Sequence, residues 1–227
     1  MANTKNQQQA APTMEETLNK SEAFFLKYKK AIIGAVVALI VIIAGAVLYK
    51  TYVSEPNEQK ASTAIAKGQE YFNQGLFKQA LEGDSANFKG FAKLADEYSS
   101  TDAGNLANLY AGLCNAQLDK WEDAVKYLEK YDAADDQMVS PVAEGALGNA
   151  YAHLNQLDKA VSHLKKAAEK ADNNSLSPTF LIQAGEILES QGKADEALKL
   201  YKQVKEKYFN SMQYQRIDEY IERVSAK

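Results

Sequence analysis

The chain has 227 residues, 46% of them hydrophobic and 25% charged, enough for one substantial folded domain. Its formal net charge of -4 is unevenly placed: residues 1–30 hold five lysines against three glutamates, leaving 21 basic and 27 acidic side chains in the remainder. That acidic remainder has no general attraction for phosphate backbones, which excludes a nucleic-acid-binding class, and a single cysteine, Cys114, excludes an intrachain disulfide. With only 12 glycines and 4 prolines to interrupt a composition rich in Ala, Leu, Lys, Glu and Gln, the expected class is all-α.

Residues 1–12 (MANTKNQQQAAP) are polar and carry a glutamine run, as expected of a disordered cytoplasmic tail. Residues 13–30 open with Thr13 and Glu16 at capping-box spacing and continue as a short amphipathic helix bearing Leu18, Phe25 and Lys27. Two roles are open for it: a solvated extension of the following segment, or a helix lying on the cytoplasmic leaflet or against a partner.

Residues 31–49 read AIIGAVVALIVIIAGAVLY, without a charge. At 1.5 Å per residue this is roughly 28 Å of helix, enough to cross a hydrocarbon core of about 30 Å. Lys30 and Lys50 bracket the run, and Tyr28, Tyr49 and Tyr52 stand where aromatic side chains favour the headgroup region. The run exceeds a signal-peptide core, and its one small-x-small pair, Ala44 and Ala46, lies inside it, so the helix is expected to be retained. Lys20, Lys27, Lys29 and Lys30 precede it against Lys50 and Lys60 after it, which orients the N-terminus to the cytoplasm and the remainder outside, as in a single-pass bacterial inner-membrane protein.

Residues 50–57 are expected as a linker, with Glu55-Pro56-Asn57 separating the span from a helix starting near Glu58. Residues 58–227 then show internal repetition. Gly68, Tyr71, Gly75, Phe77 and Ala80 form one set; Gly112, Asn115, Trp121, Ala124 and Leu128 a second; Gly148, Tyr151, Leu157, Ala160 and Leu164 a third; Gly185, Leu188, Gly192, Ala194, Ala197 and Tyr201 a fourth. A small residue on each of two helices lets them approach closely, and the large residues around it fill the remaining space. Ser140-Pro141 and Ser177-Pro178 read as an N-cap followed by a first-turn proline, each opening a new repeat.

The longer interval between the first two sets is expected to hold a break at residues 82–87 and a helix over 87–98, with Phe88, Phe91, Leu94 and Tyr98 on one face. Residues 213–224 are expected as a helix covering the last repeat. This pattern resembles the tetratricopeptide repeat. The resemblance implies a superhelix of about four helical hairpins plus a capping helix, behind one N-terminal transmembrane helix.

The sequence carries little that points to chemistry. His153 and His163 are ten residues apart without metal spacing, Cys114 lies in an apolar stretch, and Asp102, Asp132, Asp135 and Asp136 do not have the spacing of a calcium loop. No nucleophile elbow, phosphate loop or dinucleotide fingerprint occurs. Neither catalysis, a cofactor, a metal nor a small-molecule substrate is expected.

In tetratricopeptide arrays the first helix of each repeat lines the concave surface. Carried onto this sequence, that selects Gln69, Phe72 and Asn73, then Leu109, Leu113 and Gln117, then Asn149 and His153, then Ile182, Glu186 and Glu189 as a protein-binding face. The set offers amides, apolar groups and acids but no Lys or Arg for a C-terminal carboxylate. It suits extended or partly unfolded chains, or a flat protein partner; a solvated inner face is the alternative.

The layout as a whole resembles the ancillary SecYEG translocon subunit family, through EETLNKSEAFFLKYKK, the apolar run, and the Gly68–Ala80 and Gly112–Leu128 repeats. The resemblance implies association with Sec translocon subunits and periplasmic chaperones, and chaperone-like help to newly exported proteins. The competing reading is an envelope-biogenesis scaffold linking cell-wall or outer-membrane assembly factors.

Overall fold

The computed structural model describes residues 14–84, 87–134 and 136–226. The tail expected at 1–12 and the Thr13 side of the capping box therefore lie outside the described residues, as does Asp135. Among the described residues there is no strand. The chain forms two compact units, which part between Val53 and Ser54.

The first unit is dominated by α1 (Met14–Tyr49), followed by a π-helical turn, Lys50–Ser54. The boundary expected at residue 30 is not a break, because nothing there interrupts the i to i+4 ladder: the amphipathic stretch and the apolar run are one helix. This helix is long and apolar enough to cross a membrane, and none of its most apolar stretch is buried inside the protein. Ile40, Val41 and Ile42 are all mostly exposed, an arrangement costly in water and favourable in hydrocarbon. At the preceding end, the rings of Phe24 and Tyr28 lie 4.8 Å apart.

Residues 50–57, expected as a linker before a helix near Glu58, are themselves helical. The π turn ends at Ser54 and α2 (Glu55–Asn73) begins at Glu55, with Pro56 in its first turn. At that position a proline's missing N–H has no intrahelical partner to lose.

The second unit continues with α3 (Phe77–Glu82), α4 (Phe91–Glu97), α5 (Asp102–Gln117), α6 (Trp121–Leu128), α7 (Val139–His153), α8 (Leu157–Ala171), α9 (Ser177–Ser190) and α10 (Ala194–Lys207). A 3-10 turn, Met212–Arg216, leads into α11 (Ile217–Ser225). Helices pair as hairpins: α2 with α3, α5 with α6, α7 with α8, α9 with α10. Each hairpin turns through one left-handed residue, at Gly75, Asp119, Asn155 and Gly192. Each is closed by the same bond: Leu76, Lys120, Gln156 and Lys193 donate their N–H to the carbonyls of Tyr71, Asn115, Tyr151 and Leu188, all at 2.9 Å.

The repeated glycine is where the two helices of a hairpin touch. A Cβ on Gly112, Gly148 or Gly185 would come 2.6, 2.8 and 2.4 Å from Leu128, Leu164 and Tyr201 respectively. At Gly68 the partners are Phe88 and Phe91 instead, each 2.6 Å away, so α4 and the loop before it fill the space a longer second helix fills elsewhere. That accounts for the long first interval.

The helix expected from residue 87 starts later, at Phe91, because Gly83 and Gly90 take left-handed conformations and press backbone against backbone. The Asp84 carboxylate then accepts the N–H groups of Asn87 and Phe88, ending any helix there. Phe88 is nonetheless buried.

The Ser-Pro pairs open new helices but the serines are not the caps. Asp136 accepts the N–H groups of Met138, Val139 and Ser140, and Asn173 accepts those of Ser175 and Leu176. Ser140 and Ser177 are fully buried one step inside, donating to the carbonyls of Ala134 and Ala168. Beyond the last hairpin, α11 buries Ile217 and Val224 against the core formed by α9 and α10, closing that end of the stack.

Candidate protein-binding cleft

The first helices of successive hairpins, α5, α7 and α9, present one face to a cleft of about 450 Å³. Its lining combines Leu113, Ala116 and Gln117 of α5, Trp121 at the start of α6, and Ala146, Asn149, Ala152 and His153 of α7, with Gln183 of α9. On α7, Ala146, Asn149 and His153 recur at spacings of three and four, which keeps them on one helical face. The alanines hold that face low, leaving room between the helices, and the amides give it both donors and acceptors.

Trp121 and His153 form one wall, stacked with ring centroids 3.7 Å apart. On Gln183, the side-chain oxygen is buried without a hydrogen-bond partner among the described residues. Asn108 and Gln191, outside the cleft, carry amide oxygens of the same kind.

Of the residues expected on the binding face, Leu113, Gln117, Asn149 and His153 come together in this cleft. Others are placed differently. Gln69 donates to the Tyr110 hydroxyl at 2.9 Å, and Phe72 packs edge-on against Tyr110 and Phe77, so both join α2 to its neighbours. Asn73 is exposed at the end of α2, and Leu109 is buried in a core with Leu128 and Leu147.

At the far end Glu186 is exposed. Ile182 is buried in the core that includes Ile217, and the Glu189 carboxylate accepts hydrogen bonds from Tyr201 and Arg223. The terminal helix occupies the place a further repeat would take, and it engages these two residues itself. Trp121, Gln183, Ala116, Ala146 and Ala152 are the lining residues the sequence reading did not place there. Ala116 and Ala152 lie three positions after Leu113 and Asn149, a helical spacing that could have found them.

A second polar cluster lies on the other side of α7. Glu144 is buried there, taking Lys166 at 2.5 Å and His163 Nδ1 at 3.0 Å. Burial pushes the Glu144 carboxyl up, but the hydrogen bonds from Lys166 and His163 outweigh it and hold the group below the usual carboxylate range. Tyr151 stacks on His163 and donates to Glu129. Glu144 is met by Lys166 and His163 and Glu129 by the Tyr151 hydroxyl, which reads as a structural network joining α6, α7 and α8. Cys114 is fully buried, and burial pushes its thiol up to about 12, far from a reactive thiolate. Among the described residues no group of three or more His, Cys, Asp or Glu side chains is placed to hold a metal ion.

A family model described as a tetratricopeptide repeat-like domain matches residues 22–217. The chain belongs to the tetratricopeptide repeat-like family. The match takes in most of α1 together with all four hairpins, so the apolar helix and the tetratricopeptide repeat-like stack fall within one family pattern. No curated protein matches the chain. Tetratricopeptide repeat-like domains are typically non-catalytic scaffolds, which suggests a role in protein–protein interaction and protein partners for this chain.

Proposed function

We propose that this is a membrane-anchored interaction protein that holds extended stretches of other polypeptides in the cleft between α5, α7 and α9. The N-terminus lies in the bacterial cytoplasm and the repeat domain in the periplasm, where it works beside the Sec translocon and assists newly exported proteins. The lysine excess before the apolar run supports the orientation. The observation that carries the binding role is the cleft itself, lined across α5, α7 and α9 by amides, alanines and the Trp121–His153 stack. An extended backbone supplies N–H groups at regular intervals and small side chains fit over alanine. Without Lys or Arg in the lining, recognition does not depend on a terminal carboxylate.

The test is a photocrosslinker at Asn149 in the full chain, during export of a radiolabelled secretory protein through the inner membrane. The expected result is a crosslink to the emerging chain and copurification with channel subunits after mild detergent extraction. Crosslinks confined to cell-wall or outer-membrane assembly factors would support the scaffold reading instead, and a protease-protected domain in intact spheroplasts treated from outside would overturn the orientation.

A further inference from the structure

A line of hydrogen bonds marks one edge of the repeat domain. Glu58 of α2 accepts the N–H groups of Asp102 and Ala103, at the start of α5. Asn105 of α5 exchanges two bonds with the backbone of Asp132, in the loop before α7. Asn173, in the loop before α9, donates to the carbonyl of Gln137. Gln213, in the turn before α11, donates to Thr179 at the start of α9. The N-terminal ends of α2, α5, α7, α9 and α11 therefore lie side by side along a single edge. It is also the edge at which the chain enters this domain, at Ser54 and Glu55.

This edge is unusual in its exposed side chains. Among the described residues beyond Val53, the exposed large apolar side chains are Leu76, Met138, Val139, Val142, Phe209, Met212 and Tyr214, and all but Leu76 belong to this edge or the helix turns rising from it. Phe209 is 60% exposed and Met212 87%. Clustered exposed apolar groups mark an interaction surface, and methionine and aromatic side chains adapt well to a partner. The edge is also acidic. Glu55, Asp102, Asp132 and Asp136 lie on it; among its basic groups Lys130, Lys207 and Arg216 are already paired with Asp96, Asp172 and Glu219, and Lys170 at the end of α8 is the counterweight.

We infer that this edge is a docking surface for a basic, apolar extramembranous loop of an integral membrane protein. The inference rests on the reading of α1 as a membrane span. Because α1 tethers the domain, proteins held in the same membrane meet it at a raised effective concentration. The lipid surface is the competing occupant, and the charges decide against it: carboxylates beside the apolar groups are repelled by headgroup phosphates and attracted by Lys and Arg.

The test uses the full chain in its native membrane. Photoreactive benzoyl-phenylalanine at Met138, Phe209 or Met212 is expected to crosslink to a Lys- or Arg-bearing loop of an integral membrane protein, identified by mass spectrometry of the joined peptides. The same group at Leu76, on the opposite edge, is expected to give no such adduct. Asp132→Lys is expected to lower the yield about fivefold with thermal unfolding unchanged, since only the Asp132 backbone is bonded to Asn105.

A second arm reconstitutes the chain in phosphatidylethanolamine–phosphatidylglycerol vesicles, with Met212→Cys carrying a fluorescent label; Cys114 is buried and stays unlabelled. A lipid-borne quencher is expected to leave that label bright. Quenching would show that the edge seeks lipid and would overturn the inference. So would the absence of adducts at all three positions, adducts to soluble proteins alone, or a yield indifferent to Asp132→Lys. Release of the wild-type chain by alkaline carbonate would instead defeat the anchor reading, and the inference with it.

Discussion

Trp121 and His153 lie face to face, their ring centroids 3.7 Å apart and their planes 3° from parallel. The stack joins the first residue of α6 to the last of α7 and so sets the wall of the cleft. An aromatic pair of this kind contributes about 1 kcal/mol beyond the area it buries. His153→Ala is expected to lower stability in urea by that amount and to shift the emission of the chain's only tryptophan toward the red.

Close backbone approach predicts a steep ranking among glycines. A Cβ on Gly104 would lie 1.8 Å from the carbonyl oxygen of Tyr98, and neither group can rotate away. Gly104→Ala is expected to cost about 3 kcal/mol in equilibrium unfolding, as over-packing against a fixed neighbour does. Gly192 has open space around it, and only its φ of 74° disfavours a side chain, so Gly192→Ala is expected to cost about 1 kcal/mol.

The Asp136 cap gives the fold a pH signature. The Ser140 hydroxyl, aided by the N–H groups of Met138, Val139 and Ser140, holds this carboxyl down to about 2 against the upward push of burial. A depressed folded-state pKa means that the stabilisation is full above the unfolded value near 3.9 and is lost as the pH falls through about 2. Asp136→Ala is therefore expected to cost about 1 kcal/mol at neutral pH. The gap between wild type and variant narrows as unfolding is measured at successively lower pH between those two values.

Of the ion pairs that fasten the terminal helix, Arg223–Glu189 is the enclosed one and Lys205–Asp218 the exposed one. The Glu189 side chain is only 7% exposed, and Arg223 of α11 meets it at 2.5 and 3.2 Å. Arg223→Ala leaves that carboxylate enclosed with the Tyr201 hydroxyl and is expected to destabilise the domain by about 2 kcal/mol. Amide hydrogen exchange is expected to speed up first in α11, and adding Glu189→Gln should recover part of the loss.

Much of this architecture is written in short-range pattern. The apolar run needs only its length, and the hairpins announce themselves because Gly112, Gly148 and Gly185 must lie against Leu128, Leu164 and Tyr201. What the pattern conceals depends on partners distant in sequence. Ser140 and Ser177 look like caps, yet Asp136 and Asn173 four residues earlier hold the free N–H groups, and the serines turn inward. The start of α4 depends on the Gly83–Gly90 contact, which no helical periodicity announces. The cleft was half legible: Leu113, Gln117, Asn149 and His153 follow from repeat phase, but the withdrawal of Ile182 and Glu189 depends on where α11 packs.

The central claim is that the cleft takes extended polypeptide by its backbone, and Trp121 sits in its wall as a built-in reporter. The direct measurement is the tryptophan emission of the full chain in lipid nanodiscs, titrated with a permanently unfolded, tryptophan-free polypeptide. A saturable change that is the same whether the polypeptide's C-terminus is free or amidated, and that weakens in Gln183→Leu, is the predicted result. No change on titration, or binding that requires a free terminal carboxylate, would contradict it.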